Sequence, residues 1–203
     1  MSLKQVFFNL VNNYSTNLGL IDSFWNELEK NYSHKSRHYH SLKHIENLYQ
    51  ELLPIKDKFN NWEVVMFSLF YHDVIYDAKS KKNEEKSAEL AVKKLKEINF
   101  NSQELVYDQI IATKNHLYND SNDTNLFTDA DLSILGSDWE CYKSYFQNVR
   151  KEYAIYPDLL YKPGRKKALK HFLEMDSIFK TDYFKLKYEE KARLNMGKEI
   201  EML

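Results

Sequence analysis

Apolar residues recur at intervals of three and four along almost the whole chain. Val6, Phe7, Leu10 and Val11 form one stripe, and Leu20, Phe24, Trp25 and Leu28 a second. That spacing gathers them on one face of a helix. Ile45, Leu48, Tyr49 and Leu52 continue a third, which Pro54 should end because proline lacks an amide donor. Val64 to Tyr76 is apolar nearly all round, which predicts a buried central helix. Asn83 reads as the N-cap of the next helix, with Glu84 and Glu85 in its first turn and Ala88, Ala91, Val92, Leu95 and Ile98 along its inner face. Ser102 reads as another cap, with Leu105, Val106, Ile110 and Ile111 facing inward. Further helices are expected over about 129–135, 138–154, 164–176 and 181–200, and loops over about 31–39, 54–61, 77–82, 116–127 and 155–163. The pattern predicts a single all-α domain over residues 1–203, a bundle of about eight to ten helices.

Composition sharpens this picture. The 203 residues include only 4 Gly and 3 Pro, which argues against sheets and tight hairpins. With 43% hydrophobic residues the chain has material for a core and is not a disordered segment. The net charge of −1 supplies no basic field, so nucleic acid is not indicated as a partner. Cys141 is the lone cysteine, which excludes an internal disulfide and a multi-cysteine zinc site. No apolar run approaches the roughly 18 residues of a membrane span. Met1 to Tyr14 lacks the features of a signal peptide, so a cytoplasmic location without a membrane partner is expected.

The histidines carry the candidate chemistry. His40 and His44 stand four apart, one face of a helix if both are helical. His72 is followed directly by Asp73 inside the most apolar segment, and Asp129 and Asp131 flank Ala130 further on. An imidazole and a carboxylate buried in an apolar helix need partners. A divalent metal would satisfy both, and this donor set suits Mn, Fe, Ni, Co or Zn, less obviously Mg. A hydrogen-bonded core pair is the alternative. H-E-x-x-H is absent, because Ser41 follows His40, and no histidine has an acid three residues before it.

The order His44, His72-Asp73, Asp131 resembles the H…HD…D signature of the HD superfamily of metal-dependent phosphohydrolases. Tyr39-His40-Ser41-Leu42-Lys43-His44 is similar to a segment of the cyclic-nucleotide phosphodiesterases, which are HD proteins, as are Phe70-Tyr71-His72-Asp73 and Ala130-Asp131-Leu132-Ser133. Over residues 37–195 the segments RHYHSLKHI, FYHDVIYD, NEEKSAELA, DADLSILG and YKPGR resemble a bacterial group of HD-superfamily proteins.

The resemblance implies an HD-like helical domain and one or two divalent metal ions held by His44, His72, Asp73 and Asp131, with Asp129 as a competitor for the last place. It implies hydrolysis of a small phosphate ester, a nucleotide or related phosphometabolite, by metal-bound hydroxide. A metal- and nucleotide-binding sensor without turnover is the alternative. His40 is the candidate general acid, or else a further ligand or cap. Asp77, on the helical face of Asp73 if that helix continues, and Glu84 are candidates to assist the attacking water, or else partners of a helix dipole. Arg37, Lys114, His116, Arg150 and Arg165 are candidate substrate contacts, with Pro163-Gly164 read as a turn placing Arg165 at a helix start. For each of these cations a solvated surface position is the plainer alternative.

Overall fold

The computed structural model describes residues 1–203 as ten α-helices with no strands. These are α1 (Leu3–Asn12), α2 (Leu18–Tyr32), α3 (Leu42–Leu52), α4 (Trp62–Tyr71), α5 (Asn83–Glu97), α6 (Gln103–Ala112), α7 (Asn122–Asp131), α8 (Trp139–Glu152), α9 (Asp158–Leu173) and α10 (Asp182–Met202). Short 3-10 segments, Leu53–Lys58 and Leu132–Gly136, follow α3 and α7.

Helix α4 is the hub. Every residue from Val64 to Tyr71 is buried, as an all-round apolar helix requires. It packs against α1, α3, α5, α6 and α7. Phe7 of α1 meets Phe70 edge-on with ring centroids 5.0 Å apart, and Phe67 meets Phe100 at 4.8 Å. Such tilted contacts suit the aromatic quadrupoles. Gly136 lets α10 approach closely, since a Cβ there would stand 2.6 Å from both Cβ and the carbonyl oxygen of Tyr188. Asn195 of α10 secures the same junction by donating to the carbonyls of Leu135, at 2.9 Å, and Ser137, at 2.8 Å.

Several boundaries differ from the pattern-based reading. Helix α4 stops at Tyr71, with His72 as its C-cap, so Asp77 does not continue it. Asn83 is the first residue of α5 rather than its cap; its side chain instead clasps the backbone N–H and C=O of Asp77. Helix α7 occupies much of the stretch expected to be a loop. Helix α9 begins at Asp158 and carries Pro163 inside it, so Pro163-Gly164 is not a turn and Arg165 lies mid-helix. Leu105 is exposed on α6 rather than facing inward. No helix is long and apolar enough to cross a membrane.

Candidate metal centre

Three helices deliver the central side chains. His44 comes from the first turn of α3, His72 and Asp73 from the C-terminal end of α4, and Asp131 from the last position of α7. His44 and His72 are buried. Their Nε2 atoms lie 3.1 Å apart. Asp131 Oδ1 is 3.3 Å from His44 Nε2 and 3.7 Å from His72 Nε2. These three donors fall within 4.8 Å of one another. Asp73 Oδ2 reaches both imidazoles from outside the triplet, at 3.2 Å to His72 and 3.6 Å to His44. Two donors about 2.1 Å from one ion, in tetrahedral or octahedral geometry, stand about 3.0–3.4 Å apart. The chemistry of His44, His72 and Asp131 suits a divalent cation, and the 3.1 and 3.3 Å separations fall in that range, with the 3.7 Å separation beyond it.

The surroundings prepare these donors. His72 Nδ1 is 3.0 Å from the Leu69 carbonyl, which fixes a proton on that nitrogen and leaves Nε2 to face the cluster. Without an ion the charges compensate one another. Burial alone would lower the His72 pKa, but Asp73 and Asp131 outweigh it and raise it to about 9. Burial would raise the pKa of Asp73, yet the charges of His72 and His40 hold its carboxyl below the usual range. Burial opposes ionisation of Asp131 as well; hydrogen bonds from His116 and His44 overcome it and keep the carboxyl ionised.

His116 Nε2 lies 3.0 Å from Asp131 Oδ2. Its backbone takes the left-handed region at φ 52°, uncommon for a residue with a side chain. Asp129, the other candidate, is fully buried and turned away: it accepts from the Lys180 and Thr181 amides and the Thr181 hydroxyl, and pairs with Lys180 Nζ at 2.8 Å. It caps α10.

The centre opens into a cleft of about 530 Å3 whose wall includes His40, Glu84, Lys114, His116 and Arg165 along with His44, Asp73 and Asp131. Tyr76, Tyr145, Tyr153, Val149 and Phe172 supply an apolar and aromatic side. Lys81 stands on the rim, and Lys114 there pairs with Glu85 and the Lys81 carbonyl. Arg165 is fastened through its Nε and Nη2 edge to Glu199, at 2.8 and 3.0 Å, which also accepts from the Tyr142 hydroxyl.

His40 precedes α3, since Ser41 is the N-cap, so the helical face inferred from its spacing to His44 does not exist. A turn brings the two rings to 6.0 Å instead. His40 is stacked on Tyr76, with centroids 4.1 Å apart, and its Nδ1 is 2.6 Å from Glu152 Oε2. Burial would lower its pKa, but Asp73 and Glu152 raise it above the ordinary imidazole value.

Three candidates stand outside the cleft. The Arg37 guanidinium donates to the carbonyls of His40, Asp73 and Val74, a strut for the backbone rather than a fork for substrate. Arg150 joins the end of α8 to the start of α9 through Asp158 and the carbonyls of Tyr153 and Tyr156. Asp77 lies in the loop after α4, where Oδ1 accepts from the Lys79 amide.

Glu152 and Tyr76 escaped the sequence reading. A signal existed for Glu152: it lies on the helical stripe Tyr142, Tyr145, Val149, Glu152, a carboxylate at a core-facing position. No family model, curated protein or solved structure matches this chain.

Proposed function

We propose that this protein is a metal-dependent phosphohydrolase acting on a small phosphate ester, of the kind its HD-like sequence signature implies. The observation that carries the reading is the convergence of His44, His72, Asp73 and Asp131 from three helices, with His44, Asp73 and Asp131 lining an open cleft and His72 buried behind them. Two imidazole and two carboxylate donors would hold a divalent ion. When bound, such an ion neutralises phosphoryl charge and lowers the pKa of water toward neutrality.

The remaining roles belong to the chain's own side chains. His40, with Nδ1 engaged by Glu152, keeps Nε2 free to hand a proton to the leaving oxygen. Its raised pKa keeps that proton in place near neutral pH. Lys81 and Lys114 on the rim draw an anionic group toward the floor. Val149, Phe172 and the tyrosines cover the non-phosphate part of the substrate and limit the water around it. Glu84 lines the same cleft and is the remaining candidate to assist the attacking water.

The experiment is turnover of p-nitrophenyl phosphate, bis(p-nitrophenyl) phosphate and a panel of nucleotides by Mn-loaded protein, beside Asp73→Ala and Asp73→Asn. Turnover in the wild type, with loss of bound metal and at least about a hundredfold loss of kcat/KM in the variants, is expected. A wild type that binds no divalent metal, or rates equal to those of Asp73→Ala across the panel, overturns the reading.

A further inference from the structure

A second cavity shares one wall residue, Tyr76, with the metal cleft. It encloses about 480 Å3 and is walled by Lys30, Asn31, His34, Ser36, Arg37 and Lys79. Lys30 comes from the last turn of α2, His34 to Arg37 from the following loop, and Lys79 from the loop after α4. Three permanent cations from separate parts of the chain thus share one small space.

Arg37 forms its floor. The residue is only 9% exposed, and its guanidinium carbon sits 5.1 Å from the Tyr32 ring centroid and 5.6 Å from that of Tyr76. Nη1 donates to the carbonyls of His40 and Asp73, and Nη2 to that of Val74. A guanidinium carries five N–H donors. The Nε–H and one Nη2 hydrogen therefore have no partner in the chain. Every acceptor that Arg37 has is a carbonyl dipole and none is a carboxylate. The carboxylates of Asp73 and Glu152 act on it through space but do not bond it, so an anion on its open edge would be its first charged hydrogen-bond partner.

Neither acid on the wall hydrogen-bonds Arg37. Glu152 is engaged by the amides of His38, Tyr39 and His40 and by the His40 ring. Asp77 Oδ1 accepts from the Lys79 amide. Ile75, Ala78 and Ile155 line the rest of the cavity; among its polar groups the three cations and the hydroxyl and amide donors suit an oxyanion with several acceptor oxygens.

We propose that this cavity is an anion site, separate from the metal cleft, for a small phosphate-bearing ligand held by the open edge of Arg37 with Lys30 and Lys79 closing over it. Because the same guanidinium holds the carbonyls of His40 and Asp73, the bound anion is one side chain removed from the cleft. Binding there requires neither a metal nor turnover.

The test is calorimetric titration of pyrophosphate into the full chain freed of metal by chelation. One binding event is expected to weaken at least tenfold in Lys30→Glu/Lys79→Glu, whose positions are exposed and tolerant of change. Ser36→Trp, which occupies the space without altering charge, should weaken it similarly, whereas Lys81→Glu on the rim of the metal cleft should leave it intact. No binding by the wild type, unchanged binding in both cavity variants, or loss of binding in Lys81→Glu alone would overturn the site.

Discussion

The Glu152 carboxylate accepts from three consecutive amides, His38, Tyr39 and His40, at 2.7 to 2.9 Å, and bonds the His40 ring. One side chain therefore shapes the turn before α3 and sets the edge of the imidazole. Tyr76 covers the ring face. Burial opposes ionisation of Glu152, but the bonds from His40 and the turn amides lower its pKa and keep it charged. Glu152→Gln preserves size and removes the charge. His40 then loses part of what raises its pKa. If His40 is the general acid of the proposed hydrolysis, it must be protonated to act, so the alkaline limb of kcat/KM should move to lower pH, with kcat down by roughly 10–100-fold. Profiles of wild type and variant that superimpose would show that Glu152 only shapes the turn. None of this was readable from local spacing, because Glu152 and His40 are 112 positions apart.

At the scale of elements, the helices built from apolar stripes were legible and the one built from polar residues was not. In α7 the buried residues include Asp123, Thr124, Asn125, Thr128 and Asp129. The two aspartates bury because backbone elsewhere satisfies them: Asp123 accepts from the amides of Asn60 and Asn61, ahead of α4, and Asp129 from those of Lys180 and Thr181, ahead of α10. A hydrophobicity pattern cannot register partners so distant in sequence. The same partners decide between the two aspartates of Asp129-Ala130-Asp131, since one is consumed as a helix cap and the other is left for the cleft. Asp129→Ala removes that cap and leaves the buried Lys180 ammonium without its carboxylate. Its cost should be about 3–5 kcal/mol, read as a lowered urea midpoint at unchanged slope. Asp129→Asn, which can still accept from the amides, should cost less. If both variants unfold at the wild-type midpoint, the cap does not hold α10.

Across the whole molecule, the order of His44, His72, Asp73 and Asp131 was legible in the sequence, while the crossing of α3, α4 and α7 that brings them together was not. A cation there would tie three helices at one point, so its binding should stabilise the entire fold by mass action, about 2.7 kcal/mol at a hundred times Kd. The pH dependence has a definite sign. In the metal-free protein the His72 pKa is raised to about 9, above the unfolded value. Its proton therefore stabilises the metal-free fold fully below about pH 6.5, and that contribution is lost as pH rises through about 9. An incoming ion must displace the same proton, so apparent affinity should climb up to about tenfold per pH unit across this window and level off beyond it. The rise in Tm on adding Mn should accordingly be small near pH 6 and larger near pH 8.5, and chelation should cancel it at both. A shift that is equal at the two pH values, or greater at the acidic one, would mean that the ion does not bind at the His72 imidazole.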